Sequence, residues 1–355
     1  MKICFFNCTT AWGGGEKWHL DHALALQNDG HEVVVVSSKN GEFLARAIAA
    51  NIKHKAFTIN NLSSLNPLKI WQLYFFFKAE KFDVLVMNFS KDLKIAAPIA
   101  KLVGIPKIIY RRGSAVPIKN TSINRFLYGK CLTHILANSE MTKRTILKNN
   151  PDLFPAGKIT VIYNGIRTEN YRYQSFKNEV PVVGNIGRMV YQKRQDILID
   201  VAEILKQRGI PCKFRIGGDG ILMKVLQQKV LEKNLSDYVE FTGFVKDSNA
   251  FLQHIDIFAL TSKWEGFGYV LTEAMLARKP LVAFDISSNP ELITEGLNGN
   301  LVHWGDRVAF ADAIQNLISN PPLQKKYGEN GFSVVCEKFD FEKNKIRVMD
   351  FLLNS

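Results

Sequence analysis

Two α/β domains, each built on a doubly wound parallel sheet and facing each other across a cleft, are the fold the 355-residue sequence predicts. Three observations lead there. Strand-like runs alternate with helical spacing through the first half, and one of them, Val33-Val34-Val35-Val36, has the β-branched character of a strand buried on both faces. The same grammar restarts near Val180, after the polar stretch Arg167–Asn178. A hydrophobic content of 46% over this length suffices for two cores and argues against disorder.

Lys2–Asn7 reads as the first strand, Thr9–Gly15 as a polar glycine-rich loop, and Glu16–Asn28 as a helix closed by Gly30. Strands follow at Glu32–Val36, Phe82–Met87, Lys107–Tyr110, Thr133–Ala137 and Lys158–Ile162, with helices at Phe43–Ala50 and Lys94–Val103. In the second half Pro181–Ile186, Lys213–Ile216, Val239–Phe241, Asp256–Leu260 and Pro280–Phe284 are strands, and Ile197–Leu205 and Phe310–Ile318 are helices. Open sheets of this kind bind ligands at the carboxyl ends of their strands, so both sites are expected to open into the cleft.

Charge is divided unevenly. Residues 1–170 hold 23 Lys and Arg against 11 Asp and Glu, a net of +12, whereas residues 171–355 hold 23 against 22, a net of +1. A one-sided basic half suits an acidic partner: a phosphorylated acceptor, an anionic membrane or nucleic acid. The last lacks support, since no helix-turn-helix, zinc or aromatic RNA-binding signature accompanies the charge. No apolar run approaches the roughly 20 residues of a membrane span. The five cysteines are scattered without a C-x-x-C pair and read as free thiols of a reducing cytoplasm. His19 and His22 are three apart on one helix, which suits ordinary helix positions better than metal ligation.

The stretch Trp264 to Met275 is the most informative. It runs from a strand end through a glycine-flanked turn into a helix, with Glu265 before the turn and Glu273 roughly one turn inside the helix. A helix start offers unpaired N–H groups and the positive end of the macrodipole to an anion, and a carboxylate beside it can accept hydrogen bonds from a diol. By spacing alone, two acidic residues favoured by the dipole would look the same. Gly187-Arg188-Met189-Val190-Tyr191-Gln192-Lys193 follows the first strand of the second domain and sets a planar guanidinium and a point-charge ammonium on one loop, a pair suited to a diphosphate. Trp12-Gly13-Gly14-Gly15-Glu16 opens the first helix, but it is not G-x-G-x-x-G and no acidic residue ends the second strand, which disfavours a dinucleotide site.

Taken in order, Gly187-Arg188…Lys193, Gly218-Asp219-Gly220, Glu265-Gly266-Phe267-Gly268…Glu273-Ala274, Pro290-Glu291-Leu292-Ile293 and Gly296-Leu297-Asn298-Gly299 resemble the C-terminal half of glycosyltransferase family 4. Gly13-Gly14-Gly15-Glu16 resembles that family's N-terminal loop, so the likeness covers nearly the whole chain. The family consists of retaining, metal-independent enzymes with a B-type fold of two Rossmann-like domains. The resemblance implies an acceptor-binding domain over 1–167, a linker over 168–178, a donor-binding domain over 179–338, and a C-terminal helix in 339–355 that crosses back to the first domain. It implies that Arg188 and Lys193 bind the donor diphosphate, that Glu273 binds the ribose and that Glu265 sits by the transferred sugar. The amides of Gly268, Tyr269 and Val270 would cradle phosphate, and Gly14, Gly15, Gly187, Gly218, Phe244, Gly266 and Phe267 complete the donor set. Arg188, Lys193 and Glu265 would carry the chemistry, with no cofactor or metal; no D-x-D motif is present.

The sequence departs from the family where histidines are common: Arg112 and Asn88 stand in their places, and Arg167 stands where aspartate is usual. Asn88, Arg111 and Arg112 are therefore acceptor-side candidates, the arginines for an anionic acceptor or for the donor phosphates. The aromatic stretch Asn66–Phe82, with Lys69, Lys78 and Lys81, reads as a core helix or as a helix that lies on an anionic bilayer. The expected activity is transfer of a sugar from a nucleotide-diphosphate sugar to a glycan or lipid-linked acceptor of the cell envelope, in the cytoplasm and peripheral on the inner face of its membrane. A sugar-nucleotide epimerase of the same fold and a basic nucleic-acid-binding protein are the alternatives.

Overall fold

The computed structural model describes residues 1–171 and 178–354, so residues 172–177 of the expected linker, and Ser355, lie outside the described residues. Among those described, the chain divides into two compact units: Met1–Asn164 together with the C-terminal stretch from Lys343, and Gly165–Glu342.

Unit 1 runs β1 (Lys2–Asn7), α1 (Gly14–Asn28), β2 (Glu32–Ser37), α2 (Glu42–Ala49), β3 (Lys53–Ala56), α3 (Pro67–Glu80), β4 (Val84–Met87), α4 (Ser90–Val103), β5 (Lys107–Arg112), α5 (Ser122–Phe126), β6 (His134–Ala137), α6 (Glu140–Leu147) and β7 (Ile159–Val161). Its parallel sheet has the order β3-β2-β1-β4-β5-β6-β7, so the strand order reverses between β1 and β4. Alternate residues of the valine run enter opposite cores. Val34 and Val36 pack with Leu73 and Phe77 of α3 and with Ala96, Ala97 and Ala100 of α4. Val33 and Val35 pack with Trp18 of α1 and Phe43 of α2. This two-sided burial is why the run lacks polar alternation.

Unit 2 runs β8 (Val182–Ile186), α7 (Gln195–Gln207), β9 (Lys213–Gly217), α8 (Met223–Glu232), β10 (Val239–Gly243), α9 (Ser248–Gln253), β11 (Ile257–Leu260), α10 (Tyr269–Leu276), β12 (Leu281–Phe284), α11 (Asn289–Leu292), β13 (Gly299–Val302), α12 (Arg307–Ser319) and α13 (Pro321–Lys338). Its parallel sheet has the order β10-β9-β8-β11-β12-β13, and here the reversal falls between β8 and β11.

The final helix, α14 (Phe341–Asn354), belongs to unit 1 from Lys343 onward: Val348, Phe351 and Leu352 lie in the same core as Trp18 and Phe43. Lys107 Nζ donates to the Phe351 and Leu352 carbonyls, placing an ammonium at the negative end of that helix. The unit boundaries therefore fall at 164/165 and 342/343 rather than at 167/168 and 338/339. The reason is local: Ile166 exchanges backbone hydrogen bonds with Phe339 and Phe341, which ties both ends of unit 2 together.

α3 begins with the Asn66 side chain accepting from the Lys69 amide and with Pro67 in the first turn. Only Leu73 and Phe77 of this helix are fully buried, with Ile70, Tyr74 and Phe76 half-buried against the same core. Leu68, Trp71 and Phe75 of the same helix are exposed. Among the described residues no helix is long and apolar enough to cross a membrane. Cys4, Cys8, Cys131 and Cys212 are free buried thiols.

Candidate functional site

In unit 2 the reversal between β8 and β11 gathers the loops that carry most of the expected donor residues. The loop after β8 is stitched to the loop after β9: the Gly187 amide donates to the Gly217 carbonyl at 3.0 Å and the Met189 amide to the Asp219 carbonyl at 2.8 Å. Gly218, at φ +133°, passes so close to Gly187 that a Cβ would lie 2.0 Å from its carbonyl oxygen, so only glycine fits there. Met189 anchors the loop in the core, while the neighbouring Arg188 is exposed, its guanidinium without a partner among the described residues.

The loop after β11 is fixed alongside. The Lys263 amide donates to the Gln192 carbonyl at 2.7 Å, Gln192 Nε2 to the Trp264 carbonyl at 2.8 Å, and Thr261 Oγ1 to the Lys193 carbonyl at 3.2 Å. Lys193 Nζ then reaches Glu265 Oε1 at 2.6 Å. Glu265 is 7% exposed, and its backbone exchanges hydrogen bonds with Ser287 Oγ. Ser287 holds a left-handed backbone at φ +54°, an uncommon conformation for a residue with a side chain. A cation and a carboxylate are thereby held at the mouth of the sheet.

Gly268, left-handed at φ +89°, turns the chain into α10, whose first turn carries no acidic residue and no side-chain cap. The positive end of this helix lies immediately beyond Glu265. Glu273 is half-buried one turn further on. Gly266, Phe267, Tyr269 and Val270 occupy the turn itself, but the Phe267 ring is buried at 3% exposure against Tyr269 and Phe339. What Phe267 can offer a ligand is its backbone. Phe244 stands 80% exposed just after β10, at the carboxyl edge of the same sheet.

One residue beside this group went unrecognised in the sequence. The Tyr171 hydroxyl lies 3.3 Å from Ser248 Oγ; burial, and then the nearby Glu273 carboxylate, push its phenol well above the usual range. It sits at the edge of the polar stretch read as linker, where no periodicity marks it.

The remaining candidates form a separate group in unit 1, again at the strand reversal. Gly14 and Gly15 open α1, and a Cβ on Gly15 would lie 2.6 Å from Asn88 Nδ2. Asn7 and Asn88 both donate to Glu16 Oε1, at 3.2 and 3.5 Å. Arg111 donates to Asn88 Oδ1 at 3.0 Å and to Asn164 Oδ1 at 2.9 Å, and lies 5.0 Å from the Trp18 ring. At 3% exposure it ties β5 to the residues that follow β4 and β7 and to α1. Arg112 is half-buried and donates to the Val116 carbonyl. Its charge is thus also used to order the loop that follows β5. His19 and His22 are buried with each Nδ1 bonded to the carbonyl one turn earlier. Among the described residues no three His, Cys, Asp or Glu side chains gather as metal ligands.

Two buried titratable groups in this unit have opposed pH signatures. Burial raises Asp92 from 3.8 to about 7, so the folded state holds that proton more tightly than the unfolded chain and its stability falls as pH rises across the interval. Burial, aided by Arg111, lowers His19 from 6.5 to about 3, so its contribution is complete above 6.5 and is lost as pH falls. The two slopes oppose each other where the intervals overlap. Asp92→Asn is therefore expected to unmask the histidine, with stability of unit 1 rising by up to about 1.4 kcal/mol per pH unit between pH ~4 and ~6.5. Urea midpoints at several pH values check this; equal slopes in the variant and the parent would contradict it.

Comparison with known proteins places this geometry in context. The family model described as "Glycosyl transferases group 1" matches residues 167–334, and that described as "Glycosyltransferase Family 4" matches residues 12–170. The poly(ribitol-phosphate) alpha-N-acetylglucosaminyltransferase of Staphylococcus aureus is 32% identical over 190 residues, which is 53% of this chain and 38% of that protein's length. The Escherichia coli UDP-Gal:alpha-D-GlcNAc-diphosphoundecaprenol alpha-1,3-galactosyltransferase is 25% identical over 391 aligned positions, covering 100% of this chain and 98% of that one. Among solved structures, Anabaena HepE in complex with UDP has a TM-score of 0.86 at 23% identity, with 99% of both chains covered, a likeness of fold. Family matches that together take in residues 12–334, a relative aligned from end to end and the shared two-domain architecture agree: the chain belongs to the glycosyltransferases of family 4.

Proposed function

We propose that this glycosyltransferase is a retaining, metal-independent enzyme that moves a sugar from a nucleoside-diphosphate sugar to a glycan or lipid-linked acceptor of the cell envelope. The observation that carries the reading is the arrangement at the β8/β11 reversal: an exposed unpaired guanidinium, a lysine-glutamate pair and the uncapped start of α10 converge where the fold binds ligands. The diphosphate sits against the amides of Gly268, Tyr269 and Val270 and the cations of Arg188 and Lys193. These oppose the negative charge that grows as the bond from the sugar C1 to the phosphate oxygen breaks. Glu273 accepts from the ribose hydroxyls, and Glu265 holds the transferred sugar as positive charge develops on it. Phe244 offers an aromatic face at the sheet edge to the base. The acceptor oxygen attacks C1 on the face the phosphate leaves, and its proton passes to the departing phosphate oxygen. Thermal denaturation with a panel of nucleotide sugars tests the reading. One donor is expected to raise the midpoint by about 5 °C near saturation, with or without EDTA; a shift that appears only with added metal would contradict it.

The acceptor class follows from unit 1. Leu62, Leu65, Leu68, Trp71 and Phe75 recur every three or four residues through the turn before α3 and along that helix, and all are exposed. Exposed Lys78 and Lys81 follow them, in a unit whose first 170 residues carry a net +12. An apolar row beside cations fits an anionic bilayer, with the protein peripheral on the inner face of the cytoplasmic membrane, and the E. coli relative is named for a diphosphoundecaprenol-linked acceptor. Trp71→Ser with Phe75→Ser is expected to reduce co-sedimentation with phosphatidylglycerol vesicles at least tenfold at low salt. Equal binding by the parent and the variant, or equal binding to phosphatidylcholine, would argue for a different partner.

A further inference from the structure

We infer that Ser287 is a positioning residue for Glu265 and so a determinant of which sugar the donor carries. This rests on the reading of Glu265 as the residue beside the transferred sugar. Ser287 is the first central residue of the turn that follows β12, closed by the Asn289 amide donating to the Ile286 carbonyl at 3.1 Å. Its backbone is left-handed at φ +54°, which glycine adopts freely and serine does not. What a glycine would lack is the hydroxyl, and the hydroxyl is engaged in both directions. Its Oγ donates to the Glu265 carbonyl at 2.5 Å and accepts from the Glu265 amide at 3.2 Å. One neutral side chain thereby holds both backbone polar groups of a buried acidic residue 22 positions away.

The loop that carries Glu265 is gripped from both sides of β11, whose neighbours in the sheet are β8 and β12. From the β8 side, Gln192 Nε2 holds the Trp264 carbonyl and Lys193 Nζ holds Glu265 Oε1, which leaves Oε2 to accept from a sugar hydroxyl. Lys193 is shared with the diphosphate once a donor is bound, so the ion pair alone does not fix where the carboxylate points. The grip from the β12 side carries no charge for a diphosphate to compete with. Its second tie is apolar: a Cβ on Gly268 would lie 3.3 Å from Leu292 Cδ1, so α11, into which the Ser287 turn leads, packs against the turn into α10. Removing the hydroxyl frees the Glu265 backbone and leaves Arg188, Lys193 and the amides of Gly268, Tyr269 and Val270 in place. The loss therefore falls on recognition of the sugar and not on the diphosphate.

Calorimetry on the full chain tests the inference, with glucose, galactose and N-acetylglucosamine carried on UDP, mannose and fucose on GDP, and glucose and heptose on ADP, each beside the bare nucleoside diphosphate. On the base it binds, the parent is expected to prefer one sugar over another by about tenfold or more. Ser287→Gly is expected to bind the bare diphosphate as the parent does and to lose most of that preference. Ser287→Thr keeps the hydroxyl but sets a β-branched residue on a left-handed backbone, so it is expected to melt lower and to keep the preference. A preference that follows the melting midpoint across the variants, or one undiminished in Ser287→Gly, would overturn the role of Ser287. If the parent binds no sugar nucleotide or shows no preference, or if Glu265→Ala keeps it, the assignment of Glu265 to the sugar fails instead. Should Ser287→Gly not fold, Ser287→Ala carries the test: a preference reduced about threefold or more supports the inference, and an unchanged one refutes it.

Discussion

Lys193→Ala is expected to lower kcat by about 100-fold or more and to destabilise unit 2 by about 3 kcal/mol. The two effects have separate origins. Stability is lost because Glu265, 7% exposed and paired at 2.6 Å, is left without its ammonium partner in a site that has excluded most of the water. Activity is lost because, on the proposed reading, Lys193 is one of the two cations that oppose the charge of the leaving diphosphate. Combining Lys193→Met with Glu265→Gln separates them: the neutral pair is expected to recover most of the stability and none of the activity. A double variant that regained turnover would show that the pair is structural only. Urea unfolding and steady-state kinetics of the single and double variants measure both sides.

Deleting residues 343–355 is expected to unfold unit 1 and leave unit 2 cooperative. Val348, Phe351 and Leu352 are buried in the core shared with Trp18 and Phe43, and removing three such side chains costs about 5–9 kcal/mol, comparable with the whole stability of a domain. Phe341, which remains, packs instead against the backbone of Gly165 in unit 2. The truncation therefore acts on one unit. Lys107→Ala is the milder form: it withdraws the donor to the Phe351 and Leu352 carbonyls and is expected to cost about 1–3 kcal/mol. A calorimetric trace in which the truncated protein keeps both transitions would contradict this.

The parts of the fold legible in the sequence were those set by local chemistry. Four consecutive valines announce a strand buried on both faces, and Gly218 and Gly268 mark turns that only a backbone without a Cβ, or one in the left-handed region, can make. β3, Lys53-His54-Lys55-Ala56, was not assigned because it is an exposed, charged edge strand with no apolar alternation. β13, at the edge of the other sheet, is only four residues long and begins Gly-Asn, so it carries no strand-like apolar run. α13 carries Gly328 and Gly331 in its interior, which hides its helical spacing; a Cβ at Gly328 would lie 2.2 Å from the Arg278 carbonyl oxygen, so close packing explains that one.

The site was legible where its residues share one loop and illegible where they meet across the fold. Arg188, Lys193, Glu265 and Glu273 sit at fixed offsets from glycines. The partners of Arg111 are 23 and 53 residues away, and nothing local distinguishes an arginine spent on Asn88 and Asn164 from one that faces a ligand. Tyr171 is a hydroxyl in a polar stretch, and only the folding of α9 beside it brings it to Ser248.

The central claim is that the turn into α10 and its Glu273 form the donor site of a nucleotide-sugar glycosyltransferase. Thermal denaturation of the parent and of Glu273→Ala, with the donor that shifts the parent most, tests it directly. The account predicts a shift of about 5 °C or more in the parent and little or none in the variant, with the two melting alike when no donor is present. An undiminished shift in Glu273→Ala would contradict it.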